Sequence, residues 1–325
     1  MMYGLFGATG SLGKALAAEL FSKEKSFRVV GRSVDKLKGE FSKYEPLVEY
    51  HAADLSDPKA AAGVARGIDT VVYLVGQKYT EFQLHPKFSR VCVDAAASEG
   101  VKHFIHVGTI YPYGRPKRNP VDETHPREPH TFKGRMRKEQ EDIVLGADGK
   151  NGMRTLVVRP PDFYGPNAEL SYVASIFEAA KSGGRANVIG PVDKPHEFIF
   201  IPDLAKTVML IADKEEAYGS AWNVGGPGLI STRHFAETAF AATGKEPKLL
   251  SANWLMLRVM GLFNPMMREI AEMYYLWTEP IKLDDSKLQK LLGEVPKTPY
   301  EEGIALTIGK PQPASPSMTP HSDQR

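Results

Sequence analysis

Gly7-Ala8-Thr9-Gly10-Ser11-Leu12-Gly13 follows a short apolar start at residues 3–6 and precedes an alanine-rich stretch at residues 14–20. A strand, a glycine turn and a helix in that order build a dinucleotide site. Gly7 can take the tight turn without a Cβ penalty, Gly10 lets a pyrophosphate approach the backbone, and Gly13 lets the helix lie against the strand. The phosphates then meet free N–H groups at the helix start, so Thr9, Ser11 and Leu12 join the three glycines as candidate cofactor contacts.

Working outward, strand-like runs recur at residues 27–30, 48–51, 70–75, 103–107 and 155–158. Helical patterns separate and follow them at residues 12–21, 58–65, 87–98, 134–145, 172–181 and 204–213. That alternation predicts an α/β fold, a doubly wound parallel Rossmann sheet covered on both faces. After Pro160 the alternation weakens and proline, glycine and aromatics increase, which predicts a smaller, interleaved substrate-capping domain. The expected organisation is a nucleotide-binding part at residues 1–165, to which 198–226 return with a late strand at 221–224. A capping part follows at 166–310, then a disordered tail at 311–325.

Composition narrows the function classes. With 325 residues and 42% hydrophobic content the chain can bury a large core. A formal charge of +2 gives no overall field to recruit nucleic acid or a membrane, so neither is expected as a partner. The single cysteine, Cys92, excludes an intramolecular disulfide framework, and a first strand at the N-terminus leaves no room for a signal peptide; both fit the cytoplasm. Residues 254–277 are rich in methionine and aromatics, but their charges and Asn264-Pro265 rule out a membrane span. Core packing accounts for most of that pattern, and an adaptable cap over a hydrophobic substrate is the other reading. Oligomeric state is not legible.

The end of the second strand selects the dinucleotide. A carboxylate there would bind both ribose hydroxyls; this chain has Gly31-Arg32-Ser33. A guanidinium matches a 2′-phosphate with forked hydrogen bonds and Ser33 adds a donor, so NADP is expected over NAD. Asp54-Leu55, ending the third strand, can hold the adenine, or Asp54 can cap a turn.

Taken together, the motifs resemble the short-chain dehydrogenase/reductase superfamily, in its extended and atypical NAD-dependent epimerase/dehydratase-like branch. Besides the glycine turn, the resemblance rests on Val75-Gly76, on Gly108-Thr109-Ile110-Tyr111-Pro112-Tyr113-Gly114, on residues 158–166 and on residues 198–203. It implies that Val75, Gly76 and Pro160 line the cofactor. It also implies a serine or threonine that polarises a carbonyl, a tyrosine that transfers the proton, and a lysine four residues later that tunes the tyrosine. Thr109 fills the first place. The helix that should begin Tyr-Gly-x-Ser-Lys reads Lys133-Gly134-Arg135-Met136-Arg137, so Lys133 replaces the tyrosine and Arg137 the lysine.

Four residues apart on a helix, Lys133 and Arg137 still share a face. Lysine's ordinary pKa of about 10.4 lies close to tyrosine's, so Lys133 is the expected proton donor, with Arg137 on the nicotinamide ribose. Repulsion from Arg137 is expected to favour a neutral Lys133 amine part of the time. Gln77, Tyr113, Asp162 and Tyr164 are the candidate substrate contacts, and Tyr111, Tyr113 and Tyr164 are alternative phenols. His103 and His106 lie three apart on one strand and point to opposite faces, and no metal is expected. Residues 115–138 hold eight basic against three acidic residues, an excess of +5 that suits an anionic substrate or a solvated face. The expected activity is NADP(H)-dependent hydride transfer at a carbonyl or secondary alcohol of a small organic substrate. A sugar-nucleotide epimerase or dehydratase and a non-catalytic NADP-binding sensor or regulator are the rival readings.

Overall fold

A computed structural model describes residues 1–309, so the expected tail at 311–325 lies outside the described residues. The first half alternates strictly: β1 (Met2–Phe6), α1 (Ser11–Ser22), β2 (Ser26–Gly31), α2 (Val34–Phe41), β3 (Val48–Ala52), α3 (Pro58–Ala65), β4 (Thr70–Tyr73), α4 (Leu84–Ser98), β5 (His103–Val107), α5 (Phe132–Leu145) and β6 (Arg154–Arg159). The second half continues with β7 (Asp162–Tyr164), α6 (Ala174–Ser182), β8 (Ala186–Ile189), β9 (Pro195–Phe200), α7 (Ile201–Ala212), β10 (Ser220–Asn223), β11 (Leu229–Ser231), α8 (Thr232–Thr243) and β12 (Leu249–Ala252). Five helices close the chain: α9 (Trp254–Met260), α10 (Pro265–Glu272), α11 (Tyr275–Thr278), α12 (Ser286–Leu292) and α13 (Tyr300–Ile308).

Seven strands form one parallel sheet in the order β10-β6-β5-β4-β1-β2-β3. Strand order reverses between β1 and β4, which opens a crevice beyond their carboxyl ends. Alternate residues face opposite layers, as the two-residue period requires. Leu5, Val29, Val72, Ile105 and Leu156 pack with α1 and α7, while Phe6, Val30, Val71, Phe104 and Val157 pack with α3, α4 and α5. Both faces are therefore covered, and the strands carry continuous apolar runs. The late strand returns as expected: β10 pairs with β6, Trp222 opposite Val158.

Three-stranded (β11-β9-β7) and two-stranded (β12-β8) sheets lie in the second unit. Their core is aromatic, with Tyr164, Phe177, Phe198, Phe200, Phe235 and Tyr300 all buried. Helix α2 and the strands β7, β8, β9, β11 and β12 were not anticipated; each strand there spans only three to six residues, too few for a clear period.

One buried carboxylate ties this unit together. Glu197 on β9 accepts hydrogen bonds from the N–H groups of Leu283 (2.8 Å) and Gly226 (3.2 Å), with Asp285 and Lys297 facing it. Burial pushes its pKa up to about 7 from 4.5 despite those bonds. A raised folded-state pKa stabilises the protein fully below the unfolded value, and that contribution is lost as pH rises through about 7. The melting temperature should therefore fall between about pH 5 and about pH 8, and Glu197→Gln should flatten the fall in a thermal-shift titration.

Candidate active site

The cofactor cradle follows from three glycines with three different constraints. Gly7 has φ of +91°, and a Cβ there would lie 2.9 Å from the Leu74 carbonyl carbon, at the exit of β4. A Cβ on Gly13 would lie 2.2 Å from the Ala8 carbonyl oxygen, so only glycine lets α1 sit this close to β1. Gly10 is open by contrast, with nothing nearer than 3.8 Å to an added Cβ. It is also the N-cap of α1, and no side chain caps that helix. Exposed N–H groups beside an unobstructed glycine fit a pyrophosphate, with Thr9, Ser11 and Leu12 around it. Gly76, past β4, likewise has no atom within 4 Å of an added Cβ, and Val75 is half-buried beside it.

At the end of β2, Arg32 is exposed and Ser33 caps α2, its hydroxyl accepting from the Lys36 N–H at 3.4 Å. Asp54 takes the turn-capping role, accepting from the N–H (2.9 Å) and hydroxyl (2.8 Å) of Ser56. Those bonds, with Arg32 nearby, hold its carboxyl below the usual range. Leu55 is buried against the layer that holds α3 and α4.

Beyond β4 and β5 the chain brings together groups from five elements. Thr109 is half-buried, and its hydroxyl accepts from the Tyr111 N–H at 3.2 Å, which leaves its proton to donate. The hydroxyls of Tyr79, Tyr111 and Tyr172 form a triangle with sides of 2.7, 3.1 and 3.3 Å. Burial, with the charge of Asp162 behind it, pushes Tyr111 up to about 12. Burial likewise raises Tyr79 and Tyr172 well above the usual phenol range, so all three are neutral phenols at physiological pH. Asp162 itself is paired with His196 Nε2 at 2.8 Å. Gln77 is half-buried, with no hydrogen-bond partner among the described residues.

Helix α5 starts at the Thr131 cap and approaches the Tyr111 loop closely at Gly134, where a Cβ would sit 3.0 Å from the Tyr111 carbonyl oxygen. Arg137 follows one turn later. It donates to Gln140 Oε1 at 2.7 Å, lies 3.4 Å from His85 Nδ1, and stacks over Phe82 at 5.5 Å. Its Nε, with Tyr73 Oη, His85 Nε2 and His106 Nδ1, is buried without a partner among the described residues. Burial lowers the Arg137 pKa. Burial and then Arg137 push His106 down to about 3 and His85 lower, so both imidazoles are neutral. His103, on the opposite face of β5, pairs instead with Glu215 at 3.0 Å. An arginine with unused donors beside the crevice is a fitting partner for ribose hydroxyls.

Lys133 lies in surroundings opposite to those expected. Its side chain is fully buried, and its ammonium is held by Glu269 and, at 2.6 Å, by Glu272, both on α10. The rings of Tyr79 and Phe82 lie 5.1 and 5.7 Å from it. Two carboxylates face the amine where repulsion from Arg137 was expected, so Lys133 acts as a cationic clamp between α5 and α10. The i, i+3 spacing of Glu269 and Glu272 puts both on one face of α10, but nothing in the sequence ties that face to Lys133.

Two candidate substrate contacts are corrected. Tyr113 is buried; its hydroxyl donates to Asn223 Oδ1 at 2.7 Å and accepts from Arg159 Nη1 at 2.8 Å. Tyr164 lies in the aromatic core of the second unit, where a Cβ on Gly303 would be 2.3 Å from its hydroxyl. Tyr164 belongs to a different cluster from Tyr79, Tyr111 and Tyr172, whereas Tyr113 shares theirs but has its hydroxyl engaged by Asn223 and Arg159. Pro160 is buried at the end of β6. The basic excess of residues 115–138 is also largely cancelled. Arg115, Arg127, Lys133 and Lys138 each pair with a carboxylate from outside the segment, which offsets most of the +5 read from sequence.

The profile of the NAD dependent epimerase/dehydratase family matches residues 5–225, more than half of the chain. The chain belongs to this family. Its members are nicotinamide-dependent enzymes, and the cradle, the sheet order and the crevice all fall within the matched span. An uncharacterised protein, y4nG, of Sinorhizobium fredii is 25% identical over 90% of this chain and 74% of its own length. A 3beta-hydroxysteroid-dehydrogenase/decarboxylase, isoform 2, of Arabidopsis thaliana is 22% identical, over 80% of this chain and about half (51%) of its own. Among solved structures, the dTDP-glucose 4,6-dehydratase DesIV of Streptomyces venezuelae, with NAD and TYD bound, superposes with a TM-score of 0.78 at 16% identity, over 95% of this chain and 96% of that one. That likeness establishes the epimerase/dehydratase fold. Among the described residues no helix is long and apolar enough to cross a membrane.

Proposed function

We propose that this chain is an NADP(H)-dependent oxidoreductase that reduces a carbonyl of a small organic substrate. Reduced nicotinamide supplies the hydride. The glycine turn at Gly7, Gly10 and Gly13 holds the pyrophosphate, Arg32 and Ser33 meet the 2′-phosphate, and Arg137 orients the ribose. Thr109 donates a hydrogen bond that polarises the carbonyl oxygen. Tyr111 delivers its phenolic proton to the nascent alkoxide, and Tyr79 and Tyr172, both only half-buried, pass it a replacement proton taken up from water.

The observation that carries this reading is the hydroxyl triangle next to Thr109. Three protonated phenols joined by hydrogen bonds beside Thr109 have a proton to give a nascent alkoxide, which suits reduction. Epimerisation or dehydration of a nucleotide sugar must begin with removal of a proton from an alcohol. This second reading is supported by the DesIV likeness, and it would require one phenol to be deprotonated on substrate binding.

The test is consumption of reduced cofactor against a carbonyl panel, compared between NADPH and NADH. NADPH should be preferred, and Arg32→Ala should reduce that preference by about 10–100-fold by removing charge-assisted bonds to the phosphate. Preference for NADH would overturn the cofactor assignment, and tight NADPH binding without turnover on a broad panel would favour the sensor reading.

A further inference from the structure

The helical hairpin of α9 and α10 carries an apolar surface that no part of the described chain covers. Leu255 is 65% exposed, Val259 53%, Leu262 78% and Phe263 88%, with Trp254 and Met260 beside them. Among the described residues, more than half of the exposed large apolar side chains lie in this one hairpin. Sequence patterning assigned the segment mainly to core packing. Only its later part obeys that, with Met273, Tyr275, Leu276 and Trp277 buried against Tyr111 and Phe82. Monomeric proteins rarely leave so large a continuous apolar surface in water without a use for it.

The exposure is not a consequence of a poorly formed segment. Asn253 caps α9 by accepting the Met256 N–H at 2.9 Å, and Asn264 caps α10 by accepting the Met266 N–H at 2.9 Å. Leu257 anchors the hairpin inward at 1% exposure. At Gly261 a Cβ would lie 3.0 Å from the Arg268 backbone, so the two helices meet closely. A well-capped, tightly turned hairpin thus holds its apolar side chains outward.

Charge says what covers them. From residue 247 to 268 there is no aspartate or glutamate, while Lys248, Arg258 and Arg268 are cationic. At the hairpin's root is a cleft of about 440 Å³ lined by Arg115, Arg258, Arg268, His130 and Trp254. Glu269 and Glu272 also line it and are engaged by Lys133, Arg268 lies 3.6 Å from Glu269 with its side chain largely exposed, and Arg115 pairs with Glu279. Arg258 stacks over Trp254 at 5.2 Å and has no carboxylate partner among the described residues. Apolar side chains at a tip, tryptophan and arginine behind them, and no acids between are the arrangement of an interfacial anchor. Seven and eight residues are too few for either helix to span a bilayer, so the hairpin lies in the interface. Two copies meeting tip to tip about a twofold axis would instead bring like charges together.

We propose that the α9–α10 hairpin docks this protein onto the surface of a lipid bilayer containing anionic headgroups. Leu255, Val259, Leu262 and Phe263 enter the acyl boundary, and Arg258 and Arg268 meet headgroup phosphates. This departs from the expectation of no membrane partner, because a net charge of +2 averages away a local acid-free, cationic segment. It is independent of the reaction proposed above.

The experiment is flotation of the full chain with phosphatidylcholine vesicles, with and without about 30% phosphatidylglycerol. The protein should float with the anionic vesicles, with a blue shift of tryptophan emission. The double variant Leu262→Asp, Phe263→Asp should lower partitioning at least about tenfold. Arg258→Gln with Arg268→Gln should weaken binding and reduce its salt dependence. All four side chains are exposed, so circular dichroism and thermal melts should match wild type. Failure to float with either vesicle, or aspartate variants that float like wild type, would overturn the proposal. So would wild-type dimers in sedimentation that the aspartate variants split without any vesicle binding, since the face would then join two copies.

Discussion

Replacing Tyr111 with phenylalanine lowers the rate of carbonyl reduction by about 10²–10⁴-fold, the usual contribution of a positioned general acid. The hydroxyl is the group that matters. Among the described residues its hydrogen-bond partners are the hydroxyls of Tyr79 and Tyr172, at 3.1 and 3.3 Å, while those two keep their own bond at 2.7 Å. The ring retains its stacking on Phe82 at a centroid separation of 6.5 Å, so the fold loses little. Loss should therefore appear in kcat, with NADPH affinity and melting temperature close to wild type. Tyr79→Phe and Tyr172→Phe, which remove relay hydroxyls but not the donor, should cost less. A structural role for Tyr111 would produce the opposite split, with stability falling and the residual rate per folded molecule preserved.

Glu141→Ala destabilises the protein by about 3–5 kcal/mol, because it strands a buried arginine. Arg159 is 3% exposed, and its guanidinium donates to both Glu141 oxygens, one at 2.9 Å. Burial works against the Arg159 charge, and Glu141 more than offsets it. The same carboxylate accepts from Arg127 at 2.8 Å, and Arg159 continues through Tyr113 to Asn223. This network joins α5, β6, the Tyr111 loop and β10, so it fixes the helix that carries Arg137 one turn before Glu141. Urea unfolding should show the loss directly, as a lower midpoint with an unchanged slope. Glu141→Gln keeps one acceptor and should cost less.

The glycine turn was legible because its residues are contiguous. Gly7, Gly10 and Gly13 announce a turn whose geometry admits only glycine at two of the three positions, and the alternation of apolar runs placed the seven-stranded sheet. The chemistry was legible only in part. Thr109 and Arg137 were singled out by the family resemblance, but the surroundings of Lys133 depend on Glu269 and Glu272, more than 130 residues away in sequence. A helical pair such as Lys133 and Arg137 suggests mutual repulsion until a distant helix supplies the counter-charge. Tyr79 and Tyr172 were missed for the same reason: each is an ordinary loop tyrosine until folding brings three hydroxyls to one point. Tyr113 and Tyr164 misled in reverse, since proximity to a motif in sequence says nothing about whether a ring faces the crevice or the core. The +5 of residues 115–138 failed because a count of charges ignores partners folded against them.

The central claim is that the proton comes from a phenol and that the ammonium of Lys133 is a clamp. Single-turnover oxidation of NADPH by an accepted carbonyl, followed in wild type, Tyr111→Phe and Lys133→Met, ranks the two groups directly. The structure predicts that Lys133→Met stays within about tenfold of the wild-type rate while losing stability where α10 meets α5, and that Tyr111→Phe falls at least about a hundredfold. The reverse order, with turnover abolished by Lys133→Met and retained by Tyr111→Phe, would contradict it.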